Sequence, residues 1–435
     1  MYRYLFFIIA ALSLSLQCLS KSPEKQITDA MIASDWFALD SLYKAIPENE
    51  LSDFIDVFSR CLIGNRLNRP QVSIPAFEQL LSVHSEEISN ISTYAMMYAI
   101  DLSRLGQNSK AASVLSDVLN SNRQNLDSSE IKKLERVIKR YEWLAKYKPY
   151  SIFLNDDTGI IPFNLVPAGN PENKGMLMRL QESDINGIGA DIIFDTGAAM
   201  NIISDSLAEK YNLSPLDVEV KVSGFRSSSG SFALAKELKI GNITLNDVPF
   251  LIMNITSHNA EADRYIKDLQ LFVGSELMLQ LKDLTIDFEN NQIIVPAEAQ
   301  QKTDTAPNLC FSSSMNLLAK GSIRTTPLLM NIDTGDASFG TVGKTFYKKN
   351  KKLIKTTGHP TELRRGGIGG AEITKGYTLP DIELSLGGSN TTLPYIEVNP
   401  DTDPFGYECN LGLNSLRRFR KVRFNLVDFV LSATE

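Results

Sequence analysis

The sequence predicts a mainly β protein, two β-barrel lobes in a pseudo-twofold arrangement preceded by an all-α domain. Three observations carry that expectation. The tripeptide Asp-Thr-Gly occurs twice, at Asp195-Thr196-Gly197 and Asp333-Thr334-Gly335, each time closing an apolar run, Ile192-Ile193-Phe194 and Leu328-Leu329-Met330-Asn331-Ile332. Each copy is followed at one interval by a segment ending in glycine, Phe272-Val273-Gly274 and Asn410-Leu411-Gly412 (274 − 195 = 412 − 333 = 79). Near Pro149, helical periodicity gives way to short β-like runs punctuated by Gly and Asn.

The expected order is a signal peptide over 1–20, a helical repeat-like domain over 21–148, a first lobe over 149–300 and a second over 301–435. Arg3 followed by the apolar Leu5–Leu12 and a polar stretch from Ser20 reads as an export signal, which predicts a periplasmic or extracellular protein. The apolar stretch falls short of the roughly 20 residues a membrane-spanning helix needs. Cys18 leaves a lipid-anchored alternative open, although Gln17 is large for the position before a lipidated cysteine.

In the helical region, Ala76-Phe77-Glu78-Gln79-Leu80-Leu81 resembles the segment from Ala111 to Leu115, and Leu105-Gly106-Gln107 marks a turn before it. That spacing fits a degenerate tetratricopeptide-like array, with a plain helical bundle as the alternative. A last helix opens at Asp127, with Glu130 three residues on, and places Ile131, Leu134, Val137, Ile138, Tyr141 and Leu144 on one face. Beyond Pro149, runs such as Leu238-Lys239-Ile240 before Gly241-Asn242, and Leu284 to Phe288 before Glu289-Asn290-Asn291, read as strands ending in turns. With the second copy offset by 333 − 195 = 138 residues, Leu281, Leu284, Ile286 and Phe288 align with Phe419, Val422, Phe424 and Leu426. Apolar meets apolar in phase, so one supersecondary unit is used twice.

Composition narrows the function classes. The chain has 44 Lys and Arg against 51 Asp and Glu, a net charge of −7, which argues against a nucleic-acid partner. No paired-cysteine spacing for zinc occurs, and His84, His258 and His359 are too scattered to form a ligand set, so neither metal nor cofactor is expected. Gly343-Lys344-Thr345 fails as a phosphate loop because Ser338 stands where the leading glycine is required. In an oxidising compartment Cys310 and Cys409, both in the second copy, are a disulfide candidate, while Cys61 stands alone in the helical region.

At its two Asp-Thr-Gly loops and two closing glycine segments, the chain resembles the retropepsin-like aspartyl proteases, in the exported bacterial form with two protease units on one polypeptide. The resemblance covers about residues 150–435. It implies two acid-protease lobes and hydrolysis of peptide bonds in a peptide or protein substrate by a water activated between Asp195 and Asp333. It also implies that Thr196 and Thr334 tie the two loops together, and that a single chain is a complete pseudo-dimer. Two departures stand out. Asp336 follows the second Asp-Thr-Gly where Ala198 follows the first, and Ser275 and Leu413 occupy the position after the closing glycine where retroviral members carry arginine.

The residue types explain themselves chemically. Two carboxylates held within a few Å share one proton, so one is a base for water and the other an acid for the carbonyl and the leaving nitrogen. Gly197 and Gly335 let backbone approach the carboxylates without an intervening side chain. Flap candidates are Gly224 and Phe225 in the first copy and Gly367 and Ile368 in the second. Asp-Thr-Gly is also a good turn sequence, and a peptide-holding module without turnover is the alternative function. The helical region offers a docking surface for a protein partner or an inhibitory segment.

Overall fold

The computed structural model describes residues 22–47, 50–168, 175–223, 227–256, 269–299, 305–367 and 370–435. The export segment with Cys18, and the flap candidates Gly224, Phe225 and Ile368, lie outside them. The chain divides into two compact units, Met1–Lys148 and Pro149–Glu435.

The first unit is helical. Among the described residues it holds α1 (Pro23–Ile32), α2 (Trp36–Ala45), α3 (Asp53–Arg66), α4 (Pro70–Val83), α5 (Ile91–Arg104), α6 (Asn108–Asn122) and α7 (Ser128–Leu144). Side-chain caps start several of them: Asp35 accepts from the Ala38 N–H, Asn90 from the Thr93 N–H, and Asp127 and Glu130 form a reciprocal capping box. The expected apolar stripe of α7 buries Leu134, Ile138, Tyr141 and Leu144, while Ile131 and Val137 are only half-buried.

A polar cluster joins three of these helices. Asp101 of α5 accepts from Asn65 of α3 (2.9 Å), from Ser73 of α4 (2.6 Å) and from Arg104 one turn on (2.8 Å). Asp101 is fully buried and the Arg104 side chain nearly so. A buried pair of this kind is costly to break from one side, because the remaining charge keeps its desolvation penalty. Asp101→Ala should therefore destabilise the protein by about 3–5 kcal/mol; denaturant unfolding followed by far-ultraviolet circular dichroism reads that loss.

The second unit is mainly β. In its C-terminal part six strands close into a barrel: Leu317–Ile323, Thr326–Asp333, Cys409–Gly412, Gly340–Val342, Ser389–Val398 and Gly370–Leu386, the last pairing back onto the first. The earlier part runs through the same succession of pairings. Met176–Leu180 lies on Ile192–Phe194, which pairs in parallel with Leu271–Val273. Ile202–Ile203 and Ile243–Met253 follow, then Ser227–Ile240, which returns to Ser183–Ile185, the continuation of the first strand. A core of Ile, Leu, Val and Phe, including Ile192, Phe194, Ile332 and Leu411, fills the interior.

Outside these pairings, Asp283–Asp287 pairs antiparallel with Lys421–Asn425, placing Thr285 opposite Arg423. Arg423 clamps Asp283 with two bonds (2.9 and 2.6 Å) and Lys421 reaches Asp287 at 2.9 Å. Two long antiparallel pairs belong to the same unit, Ser214–Ser223 with Ser227–Ile240 and His359–Gly367 with Gly370–Leu386. Gly367 ends its strand, paired with Gly370.

The disulfide expectation is overturned. Cys310 and Cys409 are buried thiols that are not joined. Cys310 sits on Leu309–Phe311, and two strands, Leu317–Ile323 and Thr326–Asp333, lie between it and Cys409–Gly412. Three strand spacings of about 4.8 Å each carry the two Cα atoms beyond the roughly 7 Å limit for a bridge, even across a curled sheet. Burial pushes the Cys409 thiol well above its usual range, which keeps it protonated and inert.

Candidate active site

Each Asp-Thr-Gly loop leaves the end of a buried strand, and each strand lies parallel to the segment with the closing glycine. Phe194 is registered with Val273, and Asp333 with Gly412. The closing glycines are required by contact. A Cβ on Gly274 would meet the carbonyls of Ala198 and Met200, and one on Gly412 those of Ser338 and Asp336. The interval of 79 residues read from the sequence is thus the separation of two segments that touch.

The two loops interlock through their threonines. The Thr196 hydroxyl accepts from the Thr334 N–H (3.1 Å) and donates to the Ile332 carbonyl (2.6 Å). The Thr334 hydroxyl accepts from the Thr196 N–H (3.0 Å) and donates to the Phe194 carbonyl (2.7 Å). Both threonines are fully buried. Buried hydroxyls with reciprocal partners fix the loops against each other.

That clamp brings the carboxyl groups of Asp195 and Asp333 into hydrogen-bonding contact. Asp195 Oδ1 accepts from the N–H groups of Gly197 (2.9 Å) and Ala198 (3.1 Å), and Asp333 Oδ1 from those of Gly335 (3.0 Å) and Asp336 (3.1 Å). A Cβ on Gly197 would strike the Asp333 carboxylate, and one on Gly335 that of Asp195. Only glycine lets the carboxylates approach.

Both carboxyls are held above the usual range. Burial is the first cause for each; for Asp333, which is raised further, the neighbouring charges of Asp195 and Asp336 come next. For Asp195, backbone donors from Gly197 and Ala198 partly offset the loss of hydration.

A raised carboxyl contributes stability that is complete below its unfolded value, 3.8, and is lost as pH rises through the folded value. Asp195→Asn keeps the acceptor for both N–H groups and donates to Asp333. It should therefore melt at a higher temperature than wild type at neutral pH, the gain vanishing below about pH 4. Thermal melts of both proteins across that window check the sign.

Two residues of the site went unread in the sequence. Asn410 Nδ2 donates to Asp333 (3.1 Å) and to Asp336 (2.8 Å), and its Oδ1 accepts from Asn331 (2.7 Å). The signal was present in the 138-residue alignment, where Asn410 falls opposite Phe272 and Asn331 opposite Ile193. Polar replaces apolar only beneath the second aspartate. At the first loop, Asn316 donates to the Gly197 carbonyl and accepts from the Tyr407 hydroxyl. Among the described residues no cluster of His, Cys, Asp and Glu fit for a metal ion is found.

The family model for aspartyl proteases matches residues 182–268. That stretch includes Asp195-Thr196-Gly197 and stops short of Phe272-Val273-Gly274. No curated protein matches the chain. The matched segment and the mainly β architecture with its six-stranded barrel are consistent with an aspartyl protease fold, and they support a protease-like function in general.

Proposed function

We propose that the β unit is an aspartic endopeptidase, complete within one chain, in which Asp195 and Asp333 activate the water that attacks a peptide bond. The carrying observation is the mutual contact of two carboxyls, each at the end of its own strand, inside a reciprocal threonine clamp. A turn-forming role alone accounts for neither the contact nor the glycines opposite each carboxylate.

A pseudo-twofold relation between two lobes is supported independently. Thr196 and Thr334, offset by 138 residues, bond reciprocally, and Thr285 lies opposite Arg423, which has the same offset. One axis passing through both contacts accounts for the repeat, so the aspartates lie beside it. The parallel succession of strand pairings fits the same relation.

The chemistry balances with one shared proton. The ionised aspartate takes a proton from water as its oxygen bonds to the scissile carbonyl carbon, while the protonated aspartate gives its proton to the carbonyl oxygen. Collapse of the tetrahedral diol breaks the C–N bond: the proton taken from water passes to the leaving nitrogen, and a diol hydroxyl returns its proton to the aspartate that had given one, which forms the carboxyl product and restores the shared-proton pair. The flap candidates Gly224, Phe225, Gly367 and Ile368 belong to the same reading, as segments that exclude water once substrate is bound. Export through the leader, and docking of a protein partner on the helical unit, belong to the same reading. The test is incubation of the purified chain with denatured casein, with and without Asp195→Asn: fragments from wild type alone support the reading, and binding without cleavage replaces it by a peptide-holding module.

A further inference from the structure

The two catalytic loops are not equivalent. Beneath Asp195 the neighbouring positions are apolar, Ala198, Ile193 and Phe272; beneath Asp333 the aligned positions are Asp336, Asn331 and Asn410. The second set forms one connected network. Asp336 Oδ1 accepts from the N–H (2.9 Å) and the hydroxyl (2.7 Å) of Ser338, and its Oδ2 accepts from Asn410, whose amide also holds Asp333. The Asn410 amide has its nitrogen toward the two carboxylates because the reverse orientation would set its oxygen against both.

We propose that Asp336, held by Asn410 and Ser338, is a positioning residue that makes the pair asymmetric: it keeps the shared proton on Asp333 and leaves Asp195 as the base that activates water. The proposal rests on the reading of Asp195 and Asp333 as the catalytic pair. A carboxylate sharing one amide with Asp333 is close enough for like-charge repulsion, so ionising Asp333 is penalised more than ionising Asp195. The further rise of Asp333, to which Asp195 and Asp336 both contribute, agrees with the geometry. Asn410 donates to both carboxyls and offsets part of that repulsion.

Among the described residues, the other titratable groups around this network add negative charge. Tyr395, on Ser389–Val398, and Cys409, on Cys409–Gly412, both feel the Asp336 charge; Glu397 adds negative charge at Tyr395, and Glu408 adds it at Cys409. Among the described residues no lysine or arginine forms an ion pair with Asp333 or Asp336. Among the described residues Asp336 is held by hydrogen bonds from Ser338 and Asn410, and its charge is felt by its neighbours.

The experiment is the pH profile of kcat/KM on denatured casein for wild type, Asp336→Ala and Asp336→Asn. Asp336→Ala gives the second loop the residue found at Ala198, a side chain that the same loop geometry already accommodates. The expected result is a downward move of the alkaline limb by about one pH unit, read as roughly a tenfold loss on that limb, with the acid limb in place. Asp336→Asn keeps the shape and an acceptor for Ser338, and decides the matter if Asp336→Ala fails to fold. An alkaline limb that stays in place, or a uniform loss at every pH with both limbs unmoved, overturns the proposal. Asp195→Asn and Asp333→Asn run alongside: if they are inactive, an unmoved limb removes only the role of Asp336, whereas if they retain turnover the catalytic pair itself is wrong.

Discussion

Asp195→Asn and Asp333→Asn should each abolish peptide cleavage, with a loss of at least about 10²–10⁴-fold in kcat, the range that a positioned acid or base supplies. Asparagine cannot take or give the proton that each step needs, yet it matches the carboxylate in shape and still accepts from the loop N–H groups. Unfolding is therefore not the expected cause of inactivity, and for Asp195→Asn the melting temperature at neutral pH should rise. The assay is product formation from denatured casein, with circular dichroism melts on the same samples. Near wild-type turnover in either variant would remove the two-aspartate assignment.

Thr196→Ala and Thr334→Ala should produce the largest loss of stability in the β unit. Each hydroxyl accepts from one backbone N–H and donates to one carbonyl of the opposite loop, in fully buried surroundings. Alanine strips both groups of that partner, at about 1–3 kcal/mol each, so a cost of about 2–6 kcal/mol is expected. Activity should fall with stability, since the clamp holds the carboxyls in contact. Thr→Ser at either position keeps the hydroxyl and loses one methyl, which costs on the order of 1 kcal/mol and should rescue most of both properties. If alanine and serine variants melt together, the interlock is not what holds the loops.

The candidate site was legible in the sequence to the extent that its parts repeat. Asp195, Asp333, both threonines and all four motif glycines stand in short segments at equal spacing, and the structure brings these segments together. Asn410 was not legible as a partner of Asp333 and Asp336. Its contacts join positions 74 and 77 residues apart, across a parallel pairing that no local pattern reports. The error over Cys310 and Cys409 has the same root, for membership of one repeat says nothing about how many strands lie between two residues.

What the sequence determined by itself is what local pattern encodes: a helical region before a β region, and strands ending at two Asp-Thr-Gly motifs, each with a closing glycine at equal spacing. Tertiary structure alone decided which of these segments touch. Strand order set the two thiols apart, the reciprocal threonine bonds set the two carboxyls together, and the network of Asp336, Asn410 and Asn331 made two loops of nearly the same sequence unequal. The physical reason is that hydrophobic period and turn chemistry act over a few residues, whereas the neighbouring charges that raise Asp333 above Asp195 belong to groups brought together only when the strands pair.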